Sequence, residues 1–161
     1  MKTLAPHLAI STFFLLINST FYPLESVAQT ITNGYICTPK NIGGEETRLF
    51  FRQQEGVAEN ISKTATFPVV CPVVIEYDLP PYFVVVSVGH SSDSSQTIAC
   101  ALEEYDINAV KVRGIGKSVN LAPGSGDILS WEDIYLQNPT NYLSLRCILP
   151  PLGGIAEVVW F

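Results

Sequence analysis

Cations, imidazoles and long apolar runs are what this sequence has least of. Lysine and arginine together number 9 against 15 aspartates and glutamates, a formal net charge of −6, and no lysine or arginine run occurs. Nucleic acid and anionic membrane surfaces both demand clustered cations, so this balance excludes them as partners. Histidine occurs twice, and only His90 lies beyond residue 28. A zinc site with two imidazoles is thereby excluded, and no C-x-x-C pair replaces them. Past residue 28 no apolar stretch approaches the roughly 20 residues of a helical membrane span. No helix-anchored protein is expected. Internal repeats and low-complexity linkers are missing too, so nothing divides 29–161 into smaller units.

What is present begins with an address. Lys2, the apolar run Leu8 to Ile17 and the close Ser26-Val27-Ala28 have the form of a signal peptide with small residues at its cleavage site. Cleavage is expected to remove residues 1–28 and leave 29–161, a single domain headed by Gln29. No cysteine follows the site for lipid attachment. All four cysteines, Cys37, Cys71, Cys100 and Cys147, survive in that domain. In an extracellular or periplasmic compartment, where thiols oxidise, they should form two disulfides.

The expected class is all-β. Turn clusters at Gly43-Gly44, Asp78 to Pro81, Ser91 to Ser95, Pro123 to Asp127, Asn138 to Asn141 and Pro150 to Gly154 separate short segments rich in β-branched and aromatic residues. They place strands near 34–37, 48–52, 64–74, 82–89, 96–103, 108–113, 128–131, 142–149 and 155–160. Ile128, Trp131 and Tyr135 also fit a helical turn. Period-two alternation turns Ala65, Phe67, Val69, Cys71 and Val73 inward, then Ile98, Cys100 and Leu102, then Leu143, Leu145, Cys147 and Leu149. The run 82–89 is apolar on both faces for most of its length and reads as a central strand covered on both sides or as one lying beneath a long loop. Pro68 and Pro72, four apart, delete donors along one side of their strand, which predicts an edge position for 64–73. Prolines there also discourage pairing between molecules.

Eight or nine such strands point to a two-sheet antiparallel sandwich of jelly-roll type. The immunoglobulin fold is the rival. It wants a tryptophan on the strand after the first bridging cysteine and a tyrosine two before the second. The next strand after Cys71 offers Phe83 and Val84, and Leu145 stands two before Cys147. A transmembrane β-barrel fails on the last strand, where the row Phe161, Val159, Glu157, Ile155 is interrupted by a charge. Four cysteines allow three connectivities. The inward positions of Cys100 and Cys147 on C-x-L strands favour pairing them, with Cys37 tying the N-terminus to Cys71. A Cys71–Cys147 link belongs to the immunoglobulin alternative.

Four segments carry a resemblance. They are Ile36-Cys37-Thr38-Pro39, Thr64 to Val73 with its V-x-C-P-V core, Cys100-Ala101-Leu102, and Tyr142-Leu143-Ser144-Leu145-Arg146-Cys147-Ile148-Leu149-Pro150. In order and spacing, the chain resembles a loose group of small uncharacterised secreted bacterial proteins with four cysteines. The resemblance covers nearly all of 29–161. It implies a disulfide-stapled β-sandwich and brings no catalytic or binding residues with it.

Catalytic patterns are thin. Gly89-His90-Ser91-Ser92-Asp93 gathers the residue types of a hydrolytic triad, but five adjacent residues in a loop cannot adopt that geometry among themselves. The segment reads as a turn whose side chains bond their own backbone. Glu45-Glu46, Glu103-Glu104 and Glu132-Asp133 are adjacent pairs, which point to opposite faces of a strand and cannot converge on one glycosidic bond. They read as solvated turn charges. Asp93, Asp106 and Asp127 are the loop carboxylates a calcium ion would use, without EF-hand spacing. Gly114-Ile115-Gly116 has no following helix to make a phosphate cradle. Asn60-Ile61-Ser62 matches a glycosylation sequon. Tyr82, Trp131, Tyr135 and Trp160 are the aromatics available for stacking on sugars, against a simpler role in the core.

No catalytic residue, metal site or cofactor is expected. The sequence reads as a secreted, non-catalytic binding or structural module whose partner is an extracellular or periplasmic protein or glycan. A carbohydrate- or small-ligand-binding domain is the alternative, and a secreted hydrolase comes third.

Overall fold

The structure, a computed structural model, describes residues 30–40, 51–54, 56–74 and 81–160. The leader, the turns at Gly43-Gly44 and Asp78 to Pro80, and the Glu45-Glu46 pair lie outside the described residues. Among the described residues there are eleven strands and one short 3-10 turn. They are β1 (Thr30–Asn33), the turn Gly34–Ile36, β2 (Thr38–Pro39), β3 (Phe51–Gln54), β4 (Val57–Asn60) and β5 (Phe67–Val73). There follow β6 (Tyr82–His90), β7 (Gln96–Tyr105), β8 (Lys111–Leu121), β9 (Gly126–Ile134), β10 (Tyr142–Leu149) and β11 (Gly153–Trp160). Among the described residues no helix is long and apolar enough to cross a membrane.

Two antiparallel sheets face each other. The first runs β3-β4-β11-β6-β9, with β1 also paired to β11, and the second runs β2-β5-β10-β7-β8. Strands β4 to β11 thus fill the two four-stranded layers in the jelly-roll order, with successive strands mostly crossing between layers. The immunoglobulin arrangement is excluded by this order.

The alternation read from sequence builds the core. Phe67, Val69, Cys71 and Val73 are buried, as are Ile98, Cys100 and Leu102, and Leu143, Leu145, Cys147 and Leu149. Ala65 lies before β5 and is only half-buried. β6 is flanked by β11 and β9. Its apolar residues on both faces suit that central place. Trp131 is inside, and its indole Nε1 donates to the Ile115 carbonyl at 2.9 Å. Residues 128–134 therefore belong to β9 and not to a helical turn, and Tyr135 and Leu136 lie past its end.

Several boundaries differ from the sequence reading. Residues 34–36 form a 3-10 turn where a strand was expected, closed by the Cys37 amide donating to the Gly34 carbonyl at 2.9 Å, with Gly34 so near the Ile155 carbonyl oxygen that a Cβ would collide with it. β4 has no apolar run to announce it. β8 begins at Lys111 and continues eight residues past 113, carrying Gly114 and Gly116 inside it.

The proline argument held for direction and needs correcting for position. β5 pairs with β10 along its length, and the outer side holds the two-residue β2. Pro68 turns its carbonyl outward, where it accepts from the Lys40 amide at 2.9 Å. Pro72 follows with the same parity, so both missing donors face outward. Val70 keeps the one outward amide between them, and Thr38 pairs there. The prolines shorten the outer neighbour rather than abolish it.

The disulfides join Cys37 to Cys71 and Cys100 to Cys147. Cys147 stands directly opposite Cys100, and Cys37 precedes the residue opposite Val70. In both bridges the Cα atoms are 4.0 Å apart, the close approach of cross-strand neighbours.

Candidate functional site

The outer face of the second sheet carries a polar and aromatic patch set out by strand register. Across β10, β7 and β8, one row reads Tyr142, Tyr105, Lys111; the next reads Ser144, Glu103, Gly114; the third reads Arg146, Ala101, Gly116. A register shift between Glu104 and Tyr105 brings Lys111 opposite Tyr105 and leaves Arg113 opposite Glu104. The turn into β8 sets this up. Asp106 Oδ1 accepts from the amides of Asn108 at 2.9 Å and Val110 at 2.8 Å, and Ala109 takes a positive φ of 59°. Asp106 is thereby a turn-forming residue.

Glu103 lies beneath the patch, only 2 % exposed. Its Oε1 accepts from Lys111 Nζ at 2.7 Å and meets an Arg146 terminal nitrogen at 3.3 Å, and its Oε2 accepts from the Tyr105 hydroxyl at 2.6 Å. Burial alone would raise this carboxyl. The hydrogen bonds from Lys111 and Tyr105 and the charges of Arg146 and Lys111 outweigh it and hold the group below the ordinary carboxylate range. The same hydrogen bond to Glu103, with burial behind it, pushes the Tyr105 phenol up to about 12. Gly114 makes the arrangement possible. A Cβ there would stand 3.2 Å from Lys111 Cε and Nζ, so the lysine reaches Glu103 by crossing a position without a side chain. Tyr105 and Tyr142 stack with ring centroids 5.6 Å apart and planes 16° from parallel. Tyr142 is 41 % exposed.

Glu104 points the other way, into the end of the sandwich, and is 1 % exposed. It accepts from Arg113 Nε at 2.5 Å, the Gln137 amide at 2.7 Å and Asn141 Nδ2 at 2.7 Å. Arg113 also donates to the Tyr135 carbonyl. Burial would raise the Glu104 carboxyl, and these donors together bring it below its usual value. The Glu103-Glu104 pair is thus corrected from solvated turn charges to two buried acids on opposite faces. Two buried carboxylates are tolerable because each meets three donors.

Other residues singled out by the sequence scatter. His90 is not in a turn but ends β6, buried. Its Nε2 lies 2.8 Å from the Ala122 carbonyl and its Nδ1 accepts from the Ser92 amide at 3.1 Å. The acceptor at Nδ1 fixes the neutral tautomer protonated at Nε2. With both nitrogens occupied by backbone, the ring pins the 91–95 loop to the 122–125 turn. His90→Ala should therefore lower stability by about 0.5–1.5 kcal/mol by removing two hydrogen bonds to part-buried backbone groups. Urea unfolding measures this, and an unchanged midpoint would remove the pinning role. Beside His90, on the outer face of the first sheet, lies a hollow of about 190 Å³ lined by Glu59, Gly89, Ser91, Leu152 and Gly154 among others.

Glu132 and Asp133 are exposed. Asp127 Oδ1 accepts from the Ile128 amide, and Asp93 is exposed. No three metal-ligating side chains gather among the described residues. Asn60, in the sequon, is fully buried; its Nδ2 donates to the carbonyls of Ala65, Leu149 and Pro150, and its Oδ1 accepts from the Ser62 amide. It ties strands together and presents no amide for a glycan. Of the aromatics, Tyr82, Trp131 and Trp160 are in the core and Tyr135 is exposed. Tyr105 and Tyr142 were not among the sequence candidates. Cross-strand adjacency of residues 37 apart leaves no local signal.

Comparison with known proteins adds fold neighbours. No family model matches the chain, and no curated protein matches it. A family 11 carbohydrate-binding module from Clostridium thermocellum, solved in complex with a β-1,3-1,4-mixed-linked tetrasaccharide, aligns over 83 % of this chain and 80 % of its own at 10 % identity and a TM-score of 0.39. A CBM4 structure aligns over 82 % of this chain and 81 % of its own, at 8 % identity and a TM-score of 0.36. The enzymatically active domain of tailspike protein 4 of bacteriophage CBA120 aligns over 82 % of this chain at 13 % identity and a TM-score of 0.45, but this chain spans only 19 % of its length. These likenesses are coarse, and the functional reading rests on this chain's own residues.

Proposed function

We propose that the protein is a secreted, non-catalytic binding module that holds a glycan on the outer face of its second sheet, at Tyr105 and Tyr142. The observation that carries this reading is the stacked pair of tyrosines set beside an arginine and a lysine. A sugar ring has apolar C–H faces that lie against aromatic carbon and a rim of hydroxyls that bond to planar, charged donors. Rings whose hydroxyl ends stay polar while their bodies are apolar suit that duality. Ala101 and Gly116 raise little above the sheet, which leaves room beside the patch for an extended chain. The pre-ordered donors also lower the entropy lost on binding.

The same face argues for binding without turnover. Glycoside cleavage uses two carboxylates flanking one bond. Among the described strand residues of this face Glu103 is the one acid, and both its oxygens are already occupied. Residues 1–28 address the module outside the cytoplasm, where its two disulfides persist.

The test is a glycan array with the oxidised protein, followed by calorimetry on the retained oligosaccharide. Tyr142→Ala should weaken binding at least tenfold, about 1.4 kcal/mol, with an unchanged melting temperature. Equal affinity of wild type and variant, or no glycan retained by wild type, would sink the reading.

A further inference from the structure

We infer that the glycan this face accepts is acidic, with a sugar carboxylate received by Arg146 and Lys111. The inference rests on the glycan reading and goes beyond it to the class of ligand. Arg146 is the central observation. Its side chain is 36 % exposed, and its contact with Glu103 at 3.3 Å is an ion pair that leaves it without a hydrogen bond to any described residue. Apart from the terminal nitrogen that faces Glu103, the donors of its planar guanidinium bond to no described residue. Lys111, 47 % exposed, spends one of three donors on Glu103 and keeps two.

Glu103 explains how two cations come to share one place. Both contact the same oxygen, Oε1, so they converge on a point where they would otherwise repel each other. The carboxylate is beneath them, its side chain 3 % exposed, and its other oxygen is taken by the Tyr105 hydroxyl. An approaching ligand therefore meets the cations and not the anion that holds them. Two positive charges over one negative leave the patch locally positive, in a chain whose formal net charge is −6. That excess is small and fixed, which fits recognition of one placed acid better than loose adsorption of any polyanion. A guanidinium fork matches a carboxylate with two parallel hydrogen bonds, whereas the hydroxyls of a neutral sugar offer single acceptors at variable angles. Glu103 is then a positioning residue for the two cations.

The probes are oligomers of galacturonic, glucuronic and mannuronic acid, each measured against its own methyl ester, with the full oxidised protein. At least one acid should bind tenfold or more tightly than its ester. Arg146→Gln and Lys111→Gln should each collapse that ratio toward one, and Arg146→Lys should restore only part of it, since the charge returns without the fork. Melting temperatures of the variants, both on exposed side chains, check that folding is intact. An ester that binds as well as its acid, in a Tyr142-dependent way, would overturn the acidic preference and leave the glycan reading standing. An acid preference that survives Arg146→Gln would overturn the assignment to this patch. Failure of every acid and ester, while a neutral glycan binds, also overturns it. Failure of all glycans removes both readings together.

Discussion

Alanine at both Cys100 and Cys147 is expected to lower the unfolding free energy by about 4 kcal/mol, the chain-entropy value for the 47-residue separation this bridge spans. The size of the effect comes from where the bridge sits. Cys147 is on β10 and Cys100 on β7, the two central strands of the second sheet, and they are directly opposed. Both are buried among Leu102, Leu145 and Leu149. Their loss removes a constraint on the unfolded chain and also leaves two small voids in a packed layer. The bridge matters for the candidate site as well. It lies on the inner side of the sheet, one residue from Arg146 and three from Glu103, so it fixes the register that sets those side chains beside each other. The double variant should melt at least 10 °C lower, given about 3 °C per kcal/mol for a domain of this size. A melting temperature within 3 °C of wild type would show that the strand pairs hold this register unaided.

The parts of the fold that were legible in sequence are those where one face of a strand is buried and the other is not. Cys71, Cys100 and Cys147 sit in apolar rows of period two, which is why their inward orientation could be read directly. β6, apolar on both sides, announced its central place for the same physical reason. β8 had no such signal. It is the last strand of its sheet, most of its residues are exposed, and Lys111-Val112-Arg113-Gly114-Ile115-Gly116 alternates nothing. Its glycines gave no strand signal, and one of them makes way for the Lys111 side chain. β4 is too short and mixed to be seen before β11 is known to lie beside it.

The candidate site was hidden for a different reason. Adjacent glutamates look like solvent charges until their partners are known, and apart from Tyr105 those partners lie 8 to 43 residues further along the chain. Ile98, Cys100 and Leu102 define the inward row of β7, and Glu104 is its next member; the row was not carried that one step further, and the pair was read as solvated charges. What the sequence could not supply was the register that brings Arg113 opposite Glu104, and Arg146 and Lys111 over Glu103. His90 illustrates the reverse case. A serine-rich neighbourhood suggested a turn, while its place as the next even-numbered residue after Val84, Val86 and Val88 marked it as buried.

Glu104→Ala is expected to cost about 3–5 kcal/mol, the range for removing one member of a buried charged pair. Three donors lose their acceptor at once: Arg113 Nε, the Gln137 amide and Asn141 Nδ2. The last two belong to the bend between β9 and β10, which Asn138 shapes by accepting from the Thr140 amide. Glu104 thus anchors the segment that delivers Tyr142, and the variant should bind glycan more weakly as well as melt earlier. The acid dependence follows from the same contacts. Because the folded carboxyl sits below its ordinary value of 4.5, the unfolded chain takes up the proton first as pH falls. The contribution of Glu104 is therefore fully present above that value and is lost as pH drops through the lower, folded one. Glu103 behaves in the same direction. Urea unfolding of wild type should show a stability that declines steeply below pH 4.5, and Glu104→Gln, which cannot ionise, should show a shallower decline from a lower plateau. Superimposable acid limbs for the two proteins would mean that the Arg113 and Asn141 contacts do not select the ionised form, and that the bend before Tyr142 is held by other means.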